Sequence, residues 1–542
     1  PTASLYYYWQ RNGHTSVASG WFNSSQMPTL YIPQAQPRHA GSYECIFSFL
    51  PIGDTPVSLS HGNTELILLD SPEPTLPENP LSSYLGEYVS YQIQADQPVD
   101  KFTIKGLPPG LTATSTGLIT GRPIKVLPTD PSTGVPRPYQ VRITASNMGG
   151  TGQETSLLWI IHPVLRPGIY DALFDRKPEM DEGRGLGCRA SFSITATGAL
   201  SGQLQHGGKK YRFAKPLITQ ASWPNGEFSA EMTISRGRSL PPLTLNISSE
   251  STITLKDAEN HELVSEFRRQ MTRSELEDIE AAGTYTCALQ PEPEPSPVIP
   301  GGHGYMVIKV GKTGNVTWKG KLADGTGITG SSGLSQRGNI AFPVLVDLYK
   351  VTGSLHGWVD IASRVSQPAA PVTGTLTWDK AALLHDSKER NYKDGISLHS
   401  LTLNGGAYVK PNKKQIIMSL TEGEDNASFI LEGLNLPSSP AELTQTITIN
   451  TSNKLPPLTV TAETPLKTLT LNTTTGTFRG TLLFLHPDDR KLNRTAIFEG
   501  VILHPYGPCY GHFLLPDEPT MDTPTTTAKT SPIQSGSIQI TP

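Results

Sequence analysis

Thirteen histidines, four cysteines and seven tryptophans are the side chains in this sequence best suited to carry chemistry, and their spacing limits which chemistry is open. No His-Glu-x-x-His segment occurs, and no two histidines stand four apart on a helical pattern, so the usual way of presenting two imidazoles to one zinc is missing. Neither a Gly-x-Ser-x-Gly elbow nor a phosphate-cradling Gly-x-x-x-x-Gly-Lys loop is present. His303, His356 and His512 each lie beside a glycine, which predicts solvated turn positions; the sharper alternative is a cluster at one end of a domain. Asp175 to Glu182 and Glu422 to Asn426 are acidic loops that could supply oxygens to calcium. Neither has the Asp-x-Asp-x-Asp-Gly register, and solvated carboxylates are expected.

Cys45, Cys188, Cys287 and Cys509 are far apart in sequence and have no Cys-x-x-Cys spacing. They permit long-range disulfides in an oxidising compartment, with three pairings open, or they are buried free thiols. Trp9, Trp21, Trp159, Trp223, Trp318, Trp358 and Trp378 could include a sugar-stacking platform, though core packing suits Trp9 better. Glycoside hydrolysis needs two converging carboxylates, and nothing in the sequence singles out a pair. The expectation is a non-enzymatic protein with no cofactor and no metal.

The elements that must position these residues are strands. Hydrophobic residues make up 36% and charged residues 17% of the 542, while Gly (50) and Pro (47) are abundant. Such a composition suits many short strands joined by tight turns. From Gly301 to Gly357, short alternating apolar runs are divided by glycine turns. A Thr-Gly unit punctuates them at Thr313-Gly314 and Thr352-Gly353, and returns at Thr197-Gly198 and Thr475-Gly476. Asp324-Gly325 is a hairpin-turn dipeptide. Gly168-Ile169-Tyr170 and Gly283-Thr284-Tyr285 open two similar courses, which predicts an internal two-fold repeat. A short helix is expected near Ser274 to Ala281 with a capping box from Ser274 to Glu277, and a second near Asp379 to His385. Net charge is −4 and no Lys/Arg run is long enough to track phosphates, so nucleic acid is an unfavoured partner. No stretch approaches the roughly 18 apolar residues of a membrane helix. The chain starts at Pro1, which predicts processing or a longer parent.

Three resemblances follow from particular residues. Tyr6-Tyr7-Tyr8-Trp9-Gln10 and His39-Ala40-Gly41-Ser42-Tyr43-Glu44-Cys45 resemble strands C and F of an immunoglobulin-like domain, with Trp9 as core tryptophan and Tyr43 at the tyrosine corner. His39 stands where that family has Asp. Residues 1–70 then form an incomplete sandwich, because the leading strands have no room before Trp9. Leu107-Pro108-Pro109-Gly110-Leu111, Thr116-Gly117-Leu118-Ile119-Thr120-Gly121 and the strand Tyr139 to Asn147 resemble the bacterial cadherin-like immunoglobulin module, covering residues 71–163. Gly304-Tyr305, Thr313-Gly314, Gly320 to Thr326, Leu348-Tyr349 and Gly353 to Gly357 resemble a β-barrel module found near the C-termini of large secreted bacterial proteins, within residues 164–516.

The fold expected is all-β: two immunoglobulin-like sandwiches, then a large antiparallel β-barrel or double-sheet domain with one or two short helices. Residues 517–542 are a Pro/Thr-rich tail whose end alternates Ile538 and Ile540 with polar residues, as a strand would. The resemblances imply an extracellular or cell-surface structural or adhesive protein whose partners are other copies of itself or other surface proteins. A sharper expectation is that the tail strand of one chain completes the open sandwich of another beside Trp9 and Tyr43, building a filament. The alternative is a secreted carbohydrate-binding protein with glycan partners. An outer-membrane barrel ranks last, because the strands carry Thr, Ser and Lys rather than a lipid face.

Overall fold

The computed structural model describes residues 5–13, 15–22, 29–32, 35–49, 57–67, 70–130, 132–176, 186–196, 198–216, 221–222, 228–278, 280–292, 299–365, 369–383, 388–433, 442–486, 490–503, 507–517 and 529–542. The chain is all-β and divides into two compact units, Pro1–Pro163 and Val164–Pro542. Among the described residues no helix is long and apolar enough to cross a membrane.

The first unit begins with a four-stranded antiparallel sheet in the order Thr15–Phe22, Leu5–Arg11, Gly41–Phe49, Val57–Leu66. Every residue of Leu5–Arg11 is half-buried, so neither face of this strand is sealed. Trp9 lies opposite Cys45 and Tyr7 opposite Phe47. The Tyr43 hydroxyl donates to the carbonyl of His39, four residues back, at 2.5 Å. The second module packs a three-stranded sheet and a five-stranded sheet around Ile93, Ile119, Val141, Ile143 and Trp159, all essentially inaccessible. The Trp159 indole N–H donates to Ser83 Oγ at 3.0 Å, which satisfies the one polar atom of that side chain.

The second unit holds three apolar cores. An 18-stranded path of pairings runs in chain order from Gly168–Phe174 to Ile396–Ala407. Its first half returns on itself, because Gly168–Phe174 also pairs with Glu262–Gln270 through Tyr170↔Arg269, Asp171↔Arg268 and Ala172↔Phe267. Its second half does the same, because Gly283–Pro291 pairs with Ile396–Ala407 around Cys287↔Gly405. Two rings in series thus embody the repeat anticipated from Gly168 and Gly283. Closure also removes the exposed edges that long antiparallel sheets otherwise carry. The rings meet where Arg269 and Gln270 pair with Gln336 and Ser335. That junction is polar: Asp171 accepts from Arg189 at 2.8 Å and from Gln270 at 2.7 Å, and Arg189 also donates to Ser332 Oγ at 2.7 Å.

Each ring opens with the same corner. The Tyr170 hydroxyl donates to the Arg166 carbonyl at 2.5 Å and that of Tyr285 to the Ala281 carbonyl at 2.6 Å. The preceding glycines, Gly168 (φ +155°) and Gly283 (φ +157°), hold backbone values that a side chain would oppose. Gly41 before Tyr43 has φ +144°, so one Gly-x-Tyr device recurs three times.

Several expectations need correction. The helix is Arg273–Glu277 and starts earlier than expected: the Thr272 N–H donates to Glu275 Oε2 at 2.7 Å, so Thr272 and not Ser274 stands at the N-cap. Asp379 and Lys380 end the strand Val372–Lys380 and begin no helix, because Asp379 accepts from the Ser354 N–H across the sheet at 2.8 Å; positions 384 and 385 lie outside the described residues. Ile417–Ser419 is a 3-10 turn.

The largest correction concerns the tail. Ile533–Thr541 is a strand, and it lies inside the seven-stranded C-terminal sheet of its own chain, between Ala427–Glu432 and Cys509–Pro516. Ile538 pairs with Leu431 on one side and Gly511 on the other, and Ile540 with Phe429 and Cys509. Both isoleucines are fully buried in the third core. On the opposite face Ser535 Oγ donates to the Ala323 carbonyl at 2.6 Å and Ser537 Oγ to Glu432 at 2.9 Å. The backbone pairing foreseen between chains is met within one, so the tail has no free edge to offer beside Trp9 and Tyr43.

Candidate functional site

All four cysteines are free and buried. Cys188, Cys287 and Cys509 belong to three different cores, and Cys45 to the first unit, so no disulfide joins them. Burial pushes the Cys287 and Cys509 thiols up, and that of Cys45 too, which suppresses the thiolate that reactivity needs. Cys188 faces His206 across neighbouring strands, Sγ to Nδ1 2.7 Å. Burial, aided by Arg236, pulls His206 down to about 4. So weak a base does not take the thiol proton, and both side chains are over nine-tenths buried.

The three glycine-flanked histidines are not surface turn residues. His356 lies within the strand Gly353–Ile361 and His512 within Cys509–Pro516, while His303 directly precedes Gly304–Val310. Two of them do meet: His512 Nδ1 is 3.0 Å from the His303 carbonyl, and His303 packs edge-on to Tyr510 at 5.1 Å. Burial lowers both, His303 to about 4 with help from His512. This pair welds the second ring to the C-terminal sheet. His356 stands apart.

The acidic loops also separate. Asn426 is structural, its amide donating to the carbonyls of Thr421 and Ile449 at 2.9 Å each. Asp175 is described, whereas 177–182 lie outside the described residues. Among the described residues no three His, Cys, Asp or Glu side chains gather so as to hold a metal ion.

Of the tryptophans, Trp159, Trp318 and Trp378 are core. The Trp21 side chain and Trp223 fall outside the described residues. Trp358 differs. It is half-buried and lines a cleft of about 500 Å³ between the two rings. Alternation explains its place: Leu355, Val359 and Ile361 enter the second core, so His356, Trp358 and Asp360 point out of the ring. On the adjacent strand Thr377 pairs with His356 and Thr375 with Trp358. The first ring supplies the other wall with Val264, Glu266 and Arg268, which alternate against core Leu263 and Phe267.

The cleft's electrostatics are mixed. The Arg268 guanidinium stacks over Trp358 with its carbon 4.3 Å from the ring centroid. Among the described residues its Nη1, which is buried, finds no hydrogen-bond partner, and neither does His356 Nδ1. His356 Nε2 lies 4.0 Å from Asp175 Oδ1. Burial and Arg176 draw His356 down to about 4 against the opposing pull of Asp175, so it is neutral at physiological pH. Glu266 pairs with Arg337 at 2.8 Å. Burial raises the Asp360 carboxyl, with Arg268 opposing. A second concavity, of about 570 Å³, lies where Lys388 to Gly395 meets the terminal strand. It is braced by its own bonds, Lys380 to Glu389 at 2.5 Å and Arg390 Nε to the Ser531 carbonyl at 2.7 Å.

No family model and no curated protein matches the chain. Solved structures give remote likenesses only. The tandem Ig repeats of Dlar align at 14% identity over 30% of this chain and 82% of that one, with a TM-score of 0.12. The N-terminal four Ig domains of Dscam1 isoform 6.44 align at 10% identity over 48% and 90%, TM-score 0.16. A DUF4784 family protein from Bacteroides caccae aligns at 12% identity over 60% and 84%, TM-score 0.13. Superpositions so loose carry no argument about fold or function, which therefore rest on strand order and side-chain geometry.

Sequence reasoning offers Trp358, just after a glycine turn, as either a core or a rim residue and does not name Arg268. The usable signal was alternation: polar His356 and Asp360 flank Trp358 at period two, on a strand whose other face is wholly apolar. Trp9 and Tyr43 share a sheet with Cys45 at the first unit, and Ile538 and Ile540 lie in the second, each pair within its own packing.

Proposed function

We propose that this chain is a non-enzymatic scaffold of the cell exterior, a modular surface protein that holds partners in place without transforming them. The observation that supports this most directly is where its reactive side chains stand. Cys188 with His206, His303 with His512, and Cys287 and Cys509 are spent on sealing cores and joining modules. The Gly-x-Tyr corner adds to this. It pins the entry of each ring and of the N-terminal sheet by one hydrogen bond of 2.5–2.6 Å, as suits modules that transmit force. Its partners on this reading are other copies of itself or other surface proteins. Antibody labelling of intact producing cells, paired with an adherence assay on cells lacking the chain, tests it. Surface labelling together with reduced adherence supports the proposal. Labelling only after permeabilisation, or catalytic turnover by the purified protein, overturns it.

A further inference from the structure

We propose that the cleft between the two rings binds a neutral saccharide unit. The volume, about 500 Å³, falls in the range of small-ligand sites. The lining decides the chemistry. Among the described residues Arg268 Nη1 is a buried donor without an acceptor. His356, 5% exposed, keeps Nδ1 without a partner, and as a neutral ring offers one donor and one acceptor. Thr375 and Thr377 add hydroxyls, and Asp175 and Glu266 add acceptors. Alternating donors and acceptors in one small space match adjacent sugar hydroxyls, each of which both gives and takes a hydrogen bond.

Charge excludes the neighbouring classes. An anion would approach Asp175 and Glu266, and a cation would meet Arg268. An apolar ligand would leave Arg268 and His356 unsatisfied, which buried polar groups resist. The Trp358 indole adds apolar surface to the lining and carries the Arg268 guanidinium on one face. The site is built on strands of two closed rings, and rigid elements position a binding constellation better than loops do.

The inference is independent of the scaffold proposal, which stands or falls on location and adherence. The test uses the full chain on a glycan array carrying neutral, uronate and sialylated glycans, followed by titration of any retained neutral oligosaccharide. Arg268→Gln is expected to weaken that binding by about tenfold or more, as loss of a charged hydrogen bond does. Thr375 is exposed, so Thr375→Val keeps the fold and is expected to weaken binding about three- to tenfold with an unchanged melting temperature. Trp358→Ala is expected to abolish it. Retention of no neutral glycan overturns the proposal. So does preference for acidic glycans, or binding that Arg268→Gln and Thr375→Val leave untouched.

Discussion

Acidification from pH 7.5 to pH 5 should destabilise the second unit through its buried histidines. His206, His303 and His356 are each held near a pKa of about 4 by burial, whereas an unfolded histidine titrates near 6.5. Between those values the unfolded chain binds more protons than the folded one, so stability falls as pH falls. The contribution is intact above about pH 6.5 and fully lost below about pH 4. At pH 5 each histidine costs about 2 kcal/mol, and the full loss is about 3 kcal/mol. Three such groups remove about 6 kcal/mol at pH 5, a large part of the roughly 5–15 kcal/mol that holds a domain folded. Asp257 and Glu275, whose carboxyls are lowered, add to the loss only at lower pH. The raised Asp360 and Asp517 act in the opposite sense and offset part of the loss as the pH falls. Calorimetry at pH 7.5, 6.5, 5.5 and 5.0 reads the effect. Because the unit holds three cores, each transition is followed separately. His206→Gln should flatten the pH dependence of the first ring's transition even if it lowers stability at pH 7.5. Melting that is flat from pH 7.5 to 5, or the same slope in the variant, would refute the argument.

Ile538→Ala should cost about 2–5 kcal/mol, since it empties a fully buried site in a central strand, and truncation before Ser531 should unfold the C-terminal sheet; denaturant melts and soluble yield check both, and a truncated chain with native melting would contradict the strand order. Tyr285→Phe leaves the Ala281 carbonyl without its buried donor and should cost about 1–3 kcal/mol, a loss absent if the corner is ornamental. Native protein should react with a thiol reagent far more slowly than denatured protein, and denatured unreduced protein should titrate four thiols, matching its free cysteines; fewer than four would reveal a disulfide. Gly283→Ala places a Cβ 2.4 Å from Arg364 at φ +157°, and a melting temperature unchanged by it would show that the corner tolerates ordinary residues.

Strand existence was legible because it is local. Period-two alternation marks Leu355, Val359 and Ile361 as one face and His356, Trp358 and Asp360 as the other without knowledge of any neighbour. The same holds for Ile538 and Ile540, correctly read as strand. What those strands pair with is not local. The partners of Ile538 are Leu431 and Gly511, roughly a hundred and about thirty residues away, and an alternating strand fits any open edge of suitable width. By pattern alone the tail therefore suits an exposed edge beside Trp9 as well as the slot its own sheet holds between Ala427–Glu432 and Cys509–Pro516. The histidines failed for a related reason. A glycine beside a histidine suggests a turn, yet Gly357 and Gly511 sit inside strands where neighbouring backbone approaches closely: a Cβ on either would lie 2.4 Å from a carbonyl oxygen. Glycine there marks close packing across the sheet. The cleft compounds both problems, because Arg268 and Trp358 meet only after two separate rings have closed and docked through Arg269 and Gln270. Its site is a product of tertiary closure, and the outward-facing half of each strand is where any such site on a closed β ring must be sought.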